Sequence, residues 1–582
     1  MPDKDIFKST PYPVSKLLND IESGDIALPD LQRPFIWKPK QIRDLFDSLY
    51  CSFPAGFILL WEIGPESAKT RQIGVEEKTR EPRFLVVDGQ QRLTSLYSVM
   101  KNSAIVNQKF EKFKPTISFN PLTAEFEVYN PAIGKDIFWI PDISNFFMRE
   151  STYSYIKDFL KNLKDKKGIN DEEEKEITKN LEKLAEIKSY PFTVLELSSN
   201  LDTEVVSDIF IRVNSKGNPL KQSDFVMTVL SVYLPALREQ IEKFSLLSKT
   251  LPETPSPSPY NSILQPDTDH LVRIVIADAF SRGRLKYAHA LLKGRELETR
   301  TESKETRLKN LKLFERAADR ALDLTRWHDS IKILKNIGIV NRSLISSSLT
   351  IYFTYALYIY AYQLGFDQED LEKFVGAWIY FSILTSRYIG SPETAFERDL
   401  TLLKKEKTRK YFRKTYKRMI NSGLTKDFWE ITLPSDILVS SSSRNPAYLA
   451  YLMVLNMRGA KALFSETRIR DVFGGEEKYK KTLLDKHHIF PANYLKKKGY
   501  TNTDINQVAN LCYLEFPINI KISDKGPGDY FPKLLRRCKS SELYLHAIPK
   551  NFWKMDYPEF LEERRRLVAK VIKRGVQKFI EE

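Results

Sequence analysis

Two short runs, Phe57-Ile58-Leu59-Leu60-Trp61 and Phe84-Leu85-Val86-Val87, are apolar at every position. Unbroken apolar runs of this length predict strands covered on both faces. Asp88-Gly89 ends the second run, and the residues from Leu93 to Met100 predict a helix. Pro115 to Tyr129 alternates about a central Asn120-Pro121 break, the pattern of a hairpin. Lys157 to Lys188 is charged with helical spacing and reads as an excursion from the sheet. From about 231 to 430 the pattern is almost wholly helical, with helices expected over Leu308–Lys335, Leu344–Leu364 and Gln368–Leu384. The Pro/Ser-rich stretch from Pro252 to Pro266 reads as a loop. The last region ends in a basic helix carrying Arg564, Arg565, Arg566, Lys570, Lys573 and Arg574, and Ser440 to Ser443 reads as a linker before its chemistry. The expected architecture is a multidomain α+β chain: an α/β domain over 1–230, a helical domain over 231–430 and a third domain over 431–582. No internal repeat is evident.

Composition refines this picture. The 582 residues are 42% hydrophobic and 12% aromatic, enough for real cores and too much for a disordered chain. The formal net charge of +16 draws the chain towards phosphate backbones or anionic surfaces. Cys51, Cys512 and Cys538 form no CxxC pair, which argues against a structural zinc site and a disulfide framework. The N-terminus lacks a signal-peptide pattern. Ser343 to Phe366 is uncharged and long enough to cross a bilayer, but its many serines, threonines and tyrosines favour a buried helix. A cytoplasmic protein that does not enter membranes is expected. Lys404 to Arg418 is densely basic with Tyr411, Phe412 and Tyr416 interleaved. It reads equally as a phosphate-tracking helix or as a solvated face with its aromatics in the core.

Near the C-terminus, two of the six histidines are adjacent in Asp485-Lys486-His487-His488-Ile489-Phe490-Pro491. Neighbours on a strand point to opposite faces, so a strand end would let one bind metal while the other meets substrate. Phosphodiester hydrolysis needs a base for water and a cation for the leaving oxygen. Downstream lie Asn510-Leu511-Cys512-Tyr513-Leu514 and Pro517-Ile518-Asn519-Ile520-Lys521. This series resembles the HNH, or ββα-metal, nucleases. The resemblance implies His488 as general base, His487 and Asn519 as metal ligands, and Asn510 as a loop brace that orients His488. Asp485 would be an outer partner. The implied metal is Mg²⁺ or Mn²⁺, with Zn²⁺ or Ni²⁺ as alternatives, since a His-His doublet replaces the Asp-His version. The competing reading is a pair of structural histidines.

A second motif, Val86-Val87-Asp88-Gly89-Gln90-Gln91-Arg92-Leu93, has the form of a strand, a glycine turn and a helix start. Such a turn offers free N–H groups and partial positive charge to a phosphate, and Arg92 suits a bidentate contact. Alone it is also compatible with a purely structural turn. Together with the segments around Gln32-Arg33 and Asn214 to Asp224, it resembles the ParB/sulfiredoxin-like domain of GmrSD-type modification-dependent restriction endonucleases, which join such a domain to an HNH domain. The resemblance implies nucleoside triphosphate binding or hydrolysis by Asp88, Gly89, Gln90, Gln91 and Arg92, with Gln32, Arg33, Asn214 and Asp224 as neighbours. No GxxxxGK(S/T) motif is present, so this would not be a P-loop. Phe35 and Trp37 are stacking candidates, with the core the favoured place for both.

The implied function is a phage-defence DNA endonuclease whose first domain senses modified bases or phosphorothioate marks. The implied partners are DNA and nucleotide. One HNH site cuts one strand, so double-strand cutting calls for two visits or a homodimer. The alternatives are a non-cleaving ParB-like regulator and a nuclease toxin indifferent to DNA modification.

Overall fold

A computed structural model describes residues 6–29, 35, 37–62, 70–71, 82–106, 112–201, 205–206, 209, 222–252, 256–297, 299, 301, 303–405, 407–475 and 484–581. These fall into two compact units, Met1–Arg238 and Glu239–Glu582. The architecture is mixed α/β and dominated by helices. The boundary expected near residue 430 falls inside the second unit.

The first unit is built on strands β1 (Phe7–Pro13), β2 (Ile26–Pro29), β3 (Phe57–Glu62), β4 (Thr70–Arg71) and β5 (Phe84–Asp88), with two small ladders, β6 (Ile105–Val106) with β7 (Lys112–Phe113) and β8 (Ile117–Asn120) with β9 (Glu125–Val128), and a last strand β10 (Pro191–Leu197). The main sheet has the order β1-β10-β3-β5-β2-β4. β10 runs parallel to β3 and β2 parallel to β5, while β3 and β5 are antiparallel. The unbroken apolar runs are explained by this sheet. Ile58, Leu60 and Val86 enter one core, and Leu59, Trp61, Leu85 and Val87 enter another on the opposite face. The expected hairpin is β8–β9.

Helix α1 (Val14–Ser23) buries Val14, Leu17, Leu18 and Ile21, the spacing of one helical stripe, and α2 (Pro39–Tyr50) buries Ile42, Leu45, Phe46 and Leu49. Helix α3 (Gln90–Met100) follows β5 directly. The charged excursion forms two helices, Thr152–Lys166 and Asp171–Glu186, each with an apolar stripe under its charge. Phe35 is buried against Phe113, 6.1 Å between ring centroids, and Trp37 packs on the same core. Both therefore serve as core aromatics.

The second unit is mostly helical before its C-terminal hairpin. The run expected as one helix from Leu308 to Lys335 is two, Lys304–Ala321 and Leu324–Asn336, because Asp323 caps the second by accepting the Arg326 N–H at 2.8 Å. Ser348–Gln363 is buried nearly all round. Among the described residues, no helix is long and apolar enough to cross a membrane. In the basic segment, Phe412 and Tyr416 face the core while Arg409 and Arg413 pair with Asp370. Lys404 is half-buried and donates to the carbonyls of Ala277 and Asp278 at 3.0 and 2.9 Å. These contacts favour the ordinary packed-helix reading.

The closing elements are β11 (Leu484–His488) and β12 (Leu511–Glu515), an antiparallel pair followed at once by the helix Phe516–Ile522. The long helix Tyr557–Ile580 packs behind them. The sequence marks it only as a basic helix, and its arginines do not share one environment. Arg564 is 1% exposed and donates to the carbonyls of Ala509, Leu511 and His546. It sits on the helix stripe with Phe560, Leu561 and Val568, so helical phase carries it inwards while its neighbours stay nearer solvent.

Candidate active site

The hairpin register places His487 opposite Cys512 and His488 opposite Leu511. Strand alternation sends the two imidazoles to different faces. His487 is buried, and its Nδ1 lies 2.6 Å from Oδ1 of Asn519 on the following helix. Asn519 Nδ2 donates to Asp485 Oδ2 at 3.1 Å. Asp485, His487 and Asn519 thus form one hydrogen-bonded set. Burial pushes the His487 imidazole down to about 4, so it is neutral at physiological pH.

His488 closes β11 and opens onto a cleft of about 340 Å³ that also holds Lys486, Asn502, Thr503 and Asn506. Lys486 shares the strand face because it lies two residues away. His488 Nε2 is 3.0 Å from Asn506 Oδ1. The Asn506 amide is itself fixed, since its Nδ2 donates to the Asn502 carbonyl at 2.8 Å. An amide oxygen only accepts, so Nε2 carries the proton and the lone pair of neutral His488 resides on Nδ1. Burial also lowers the His488 pKa.

Asn510 is fully buried at the start of β12. Its Oδ1 accepts the Phe490 N–H at 2.8 Å, and its Nδ2 donates to the carbonyls of Phe490 and Ile505 at 3.1 and 3.0 Å. It fastens the chain just after His488 to the chain just before β12. It makes no hydrogen bond to the His488 ring, and its hydrogen bonds act on that ring through the backbone.

The residues fit a divalent cation on three counts. A neutral imidazole, an amide oxygen and a carboxylate are linked in one hydrogen-bonded chain, in which a cation would replace the His487–Asn519 hydrogen bond. The remaining His487 nitrogen, Nε2, is buried with no hydrogen-bond partner among the described residues. The donors sit on paired strands and a helix, which hold them rigidly. Among the described residues no three His, Cys, Asp or Glu side chains gather into a metal cage, so the set depends on the Asn519 amide.

Sequence reasoning missed Asn506, Lys486 and Arg564. Asn506 lies in the connection between the strands, where no periodicity marks it. The serine stretch expected as a linker also contributes: the Ser440 carbonyl accepts the Val508 N–H at 2.7 Å, and Ser441 and Ser443 line the cleft.

In the first unit, Gly89 adopts φ 94°, a left-handed conformation that turns the chain from β5 into α3. A Cβ there would meet Ile58 Cδ1 at 2.5 Å. Arg92 donates to Asp88 Oδ2 and to the Ala55 carbonyl, both at 3.0 Å. Gln90 and Gln91 are buried, and Gln91 Oε1 accepts the Trp37 N–H at 3.2 Å. Arg92 therefore braces the end of β5 to the loop before β3 in this state. Gln32, Arg33 and Asn214 lie outside the described residues. Asp224 lies in the helix Gln222–Tyr233.

Residues 14–231 match the family model of the GmrSD restriction endonuclease N-terminal domain. Over most of its length the chain is also similar to Uncharacterized protein MJ0686 of Methanocaldococcus jannaschii. The two are 24% identical, and the match covers 90% of this chain and 87% of that protein.

Proposed function

We propose that this protein is a divalent-metal-dependent HNH endonuclease acting on DNA in phage defence, with its chemistry on the β11–β12 hairpin and the helix after it. The observation that carries this reading is the joining of Asp485, His487 and Asn519 into one donor set, with His488, the next residue along at the end of β11, opening onto a cleft. The match of residues 14–231 to a restriction-endonuclease domain supports the same class.

His487 and Asn519 would hold the cation, Mg²⁺ or Mn²⁺, with Asp485 fixing the Asn519 amide. When bound, the cation would neutralise charge on the scissile phosphate and on the leaving 3′ oxygen. His488 Nδ1 accepts a proton from the attacking water, and Asn506 holds the ring for that transfer through Nε2. Lys486 adds positive charge to the cleft that receives the phosphodiester.

For the first unit we propose control by a nucleoside triphosphate at the Asp88–Arg92 turn, together with sensing of DNA modification. The left-handed Gly89 leading straight into the N-terminus of α3 supports a phosphate there. For such contact Arg92 has to exchange Asp88 or Ala55 for the ligand.

Plasmid cleavage with Mg²⁺ or Mn²⁺, on plain and phage-modified DNA, tests the reading. Cutting that EDTA abolishes and His488→Ala reduces by at least about 100-fold is expected. Absence of cutting on both DNAs, with and without added nucleotides, returns the chain to a binding regulator. Equal cutting of both DNAs favours a modification-independent toxin. Nucleotide control is tested by Asp88→Ala/Arg92→Ala, and unchanged nucleotide response removes it.

A further inference from the structure

A cavity of about 500 Å³ in the second unit is lined by Gln265, Arg342, Ser343, Ser346, Tyr352 and Arg444, among others, and none of its lining residues is acidic. Arg342, Ser343, Ser346 and Arg444 are exposed, so the cavity is open to solvent along these residues. Arg342 reaches only the neutral Gln265 Oε1, at 3.2 Å. Among the described residues, neither guanidinium is paired with a carboxylate. Tyr352 is buried beneath them and rests on the His270 ring at 4.2 Å between centroids, so the cavity has a firm floor.

The position of this cavity gives it meaning. Arg444 follows Ser443, which lines the His488 cleft. Cleft and cavity therefore adjoin along one chain segment, Ser441 to Arg444. That segment is anchored at both ends. The Ser440 carbonyl accepts from Val508, and Asn445 donates to the Ile437 carbonyl at 2.9 Å while capping the helix Pro446–Met457.

We propose that the Arg342–Arg444 cavity is a phosphate-backbone subsite that holds the DNA strand flanking the phosphodiester in the His488 cleft. The inference rests on the nuclease reading for the identity of that cleft. Two arginines without acidic partners give up no ion pair when a phosphate binds. Hydroxyl and amide groups beside them complete the hydrogen bonding that phosphate oxygens require. With no base-reading geometry required, the subsite contributes affinity and register independent of sequence.

The test uses full-length protein carrying His488→Ala, in EDTA, binding a fluorescein-labelled DNA duplex of about 30 base pairs by anisotropy at about 50 to 200 mM salt. Arg342→Gln/Arg444→Gln is expected to weaken binding roughly 10- to 100-fold and to make the slope of log affinity against log salt shallower by about 2. Arg342→Lys/Arg444→Lys is expected to retain both affinity and slope within a few fold. Unchanged affinity and slope in the glutamine variant, with an unchanged melting temperature, overturn the proposal. So does saturable ATP binding that the glutamine variant loses while its duplex binding is intact, which assigns a free nucleotide instead. The two readings separate cleanly. Arginine-dependent binding by a protein that cuts no DNA retains the subsite and retires the nuclease. Cleavage whose KM is untouched by the glutamine variant retains the nuclease and retires the subsite.

Discussion

His488 illustrates how one hydrogen bond selects a chemical role. Asn506 presents an oxygen to Nε2 because its own amide nitrogen is committed to Asn502, and that leaves Nδ1 as the basic atom. Replacing Asn506 by Ala frees the ring and its tautomer. The expected result is a fall in kcat of about 10- to 100-fold with little change in KM, and substantial recovery in Asn506→Asp, which restores an acceptor. Steady-state cleavage kinetics check this, and a change confined to KM would move Asn506 to substrate binding. Asn510 acts differently, through three buried side-chain hydrogen bonds to backbone groups. Asn510→Ala leaves those partners buried and unmatched, at a cost of about 2–4 kcal/mol. Chemical denaturation of the variant measures that loss directly. At this scale His487, Asn519 and Asn510 were singled out through the resemblance to the HNH pattern. Asn506 was not, because its partner is met only when the inter-strand connection folds back on β11.

At the scale of elements, the helix Tyr557–Ile580 is more than a cover for the hairpin. Arg564 donates to Ala509 and Leu511, the two residues flanking Asn510, and to His546. Arg564→Met keeps the length and removes the donors, leaving three carbonyls without them. A stability loss of about 3 kcal/mol and reduced cleavage are expected, read by thermal melting and plasmid nicking. His546 adds a pH dependence. It is buried with Nε2 2.7 Å from the Lys461 carbonyl, and burial pushes its pKa down to about 4. The unfolded imidazole titrates near 6.5, so the unfolded state binds the extra proton first. Stability is therefore full above about pH 6.5 and falls as pH drops towards 4, by up to about 3 kcal/mol. Melting curves over this range in EDTA are expected to be less steep for His546→Gln, which keeps a donor for Lys461 and does not titrate, with the share of buried His487 remaining. An equal slope in both proteins would assign the acid sensitivity elsewhere.

For the whole molecule, two compact units predict two unfolding events by calorimetry. Mn²⁺ at about 100 times its dissociation constant is expected to stabilise the event belonging to Glu239–Glu582 by about 2.7 kcal/mol and to leave the other unmoved. His487→Ala should cancel that shift, and a shift that survives the substitution places the cation elsewhere. With one candidate site per chain, supercoiled plasmid should pass through open circles before linear product appears, and direct linearisation would instead require paired protomers.

The sequence by itself determined the elements that hydrophobic pattern controls. Both doubly covered strands, the β8–β9 hairpin and the helical character of the second unit follow from side-chain period, a local property. The grouping of Asp485, His487 and Asn519 was available from the sequence only through the resemblance to the HNH pattern, because its contacts join segments more than thirty residues apart. Tertiary structure alone decided which charges are buried. Arg564 and Arg565 are chemically alike and adjacent, yet helical phase and the carbonyls around Asn510 take Arg564 into the core. It also turned a serine stretch that reads as a linker into one wall of the His488 cleft, with Arg444 directly after it lining the second cavity. The reason is physical. A residue's environment is set by segments far away in the chain, and desolvation of a charge depends on those segments rather than on its immediate neighbours.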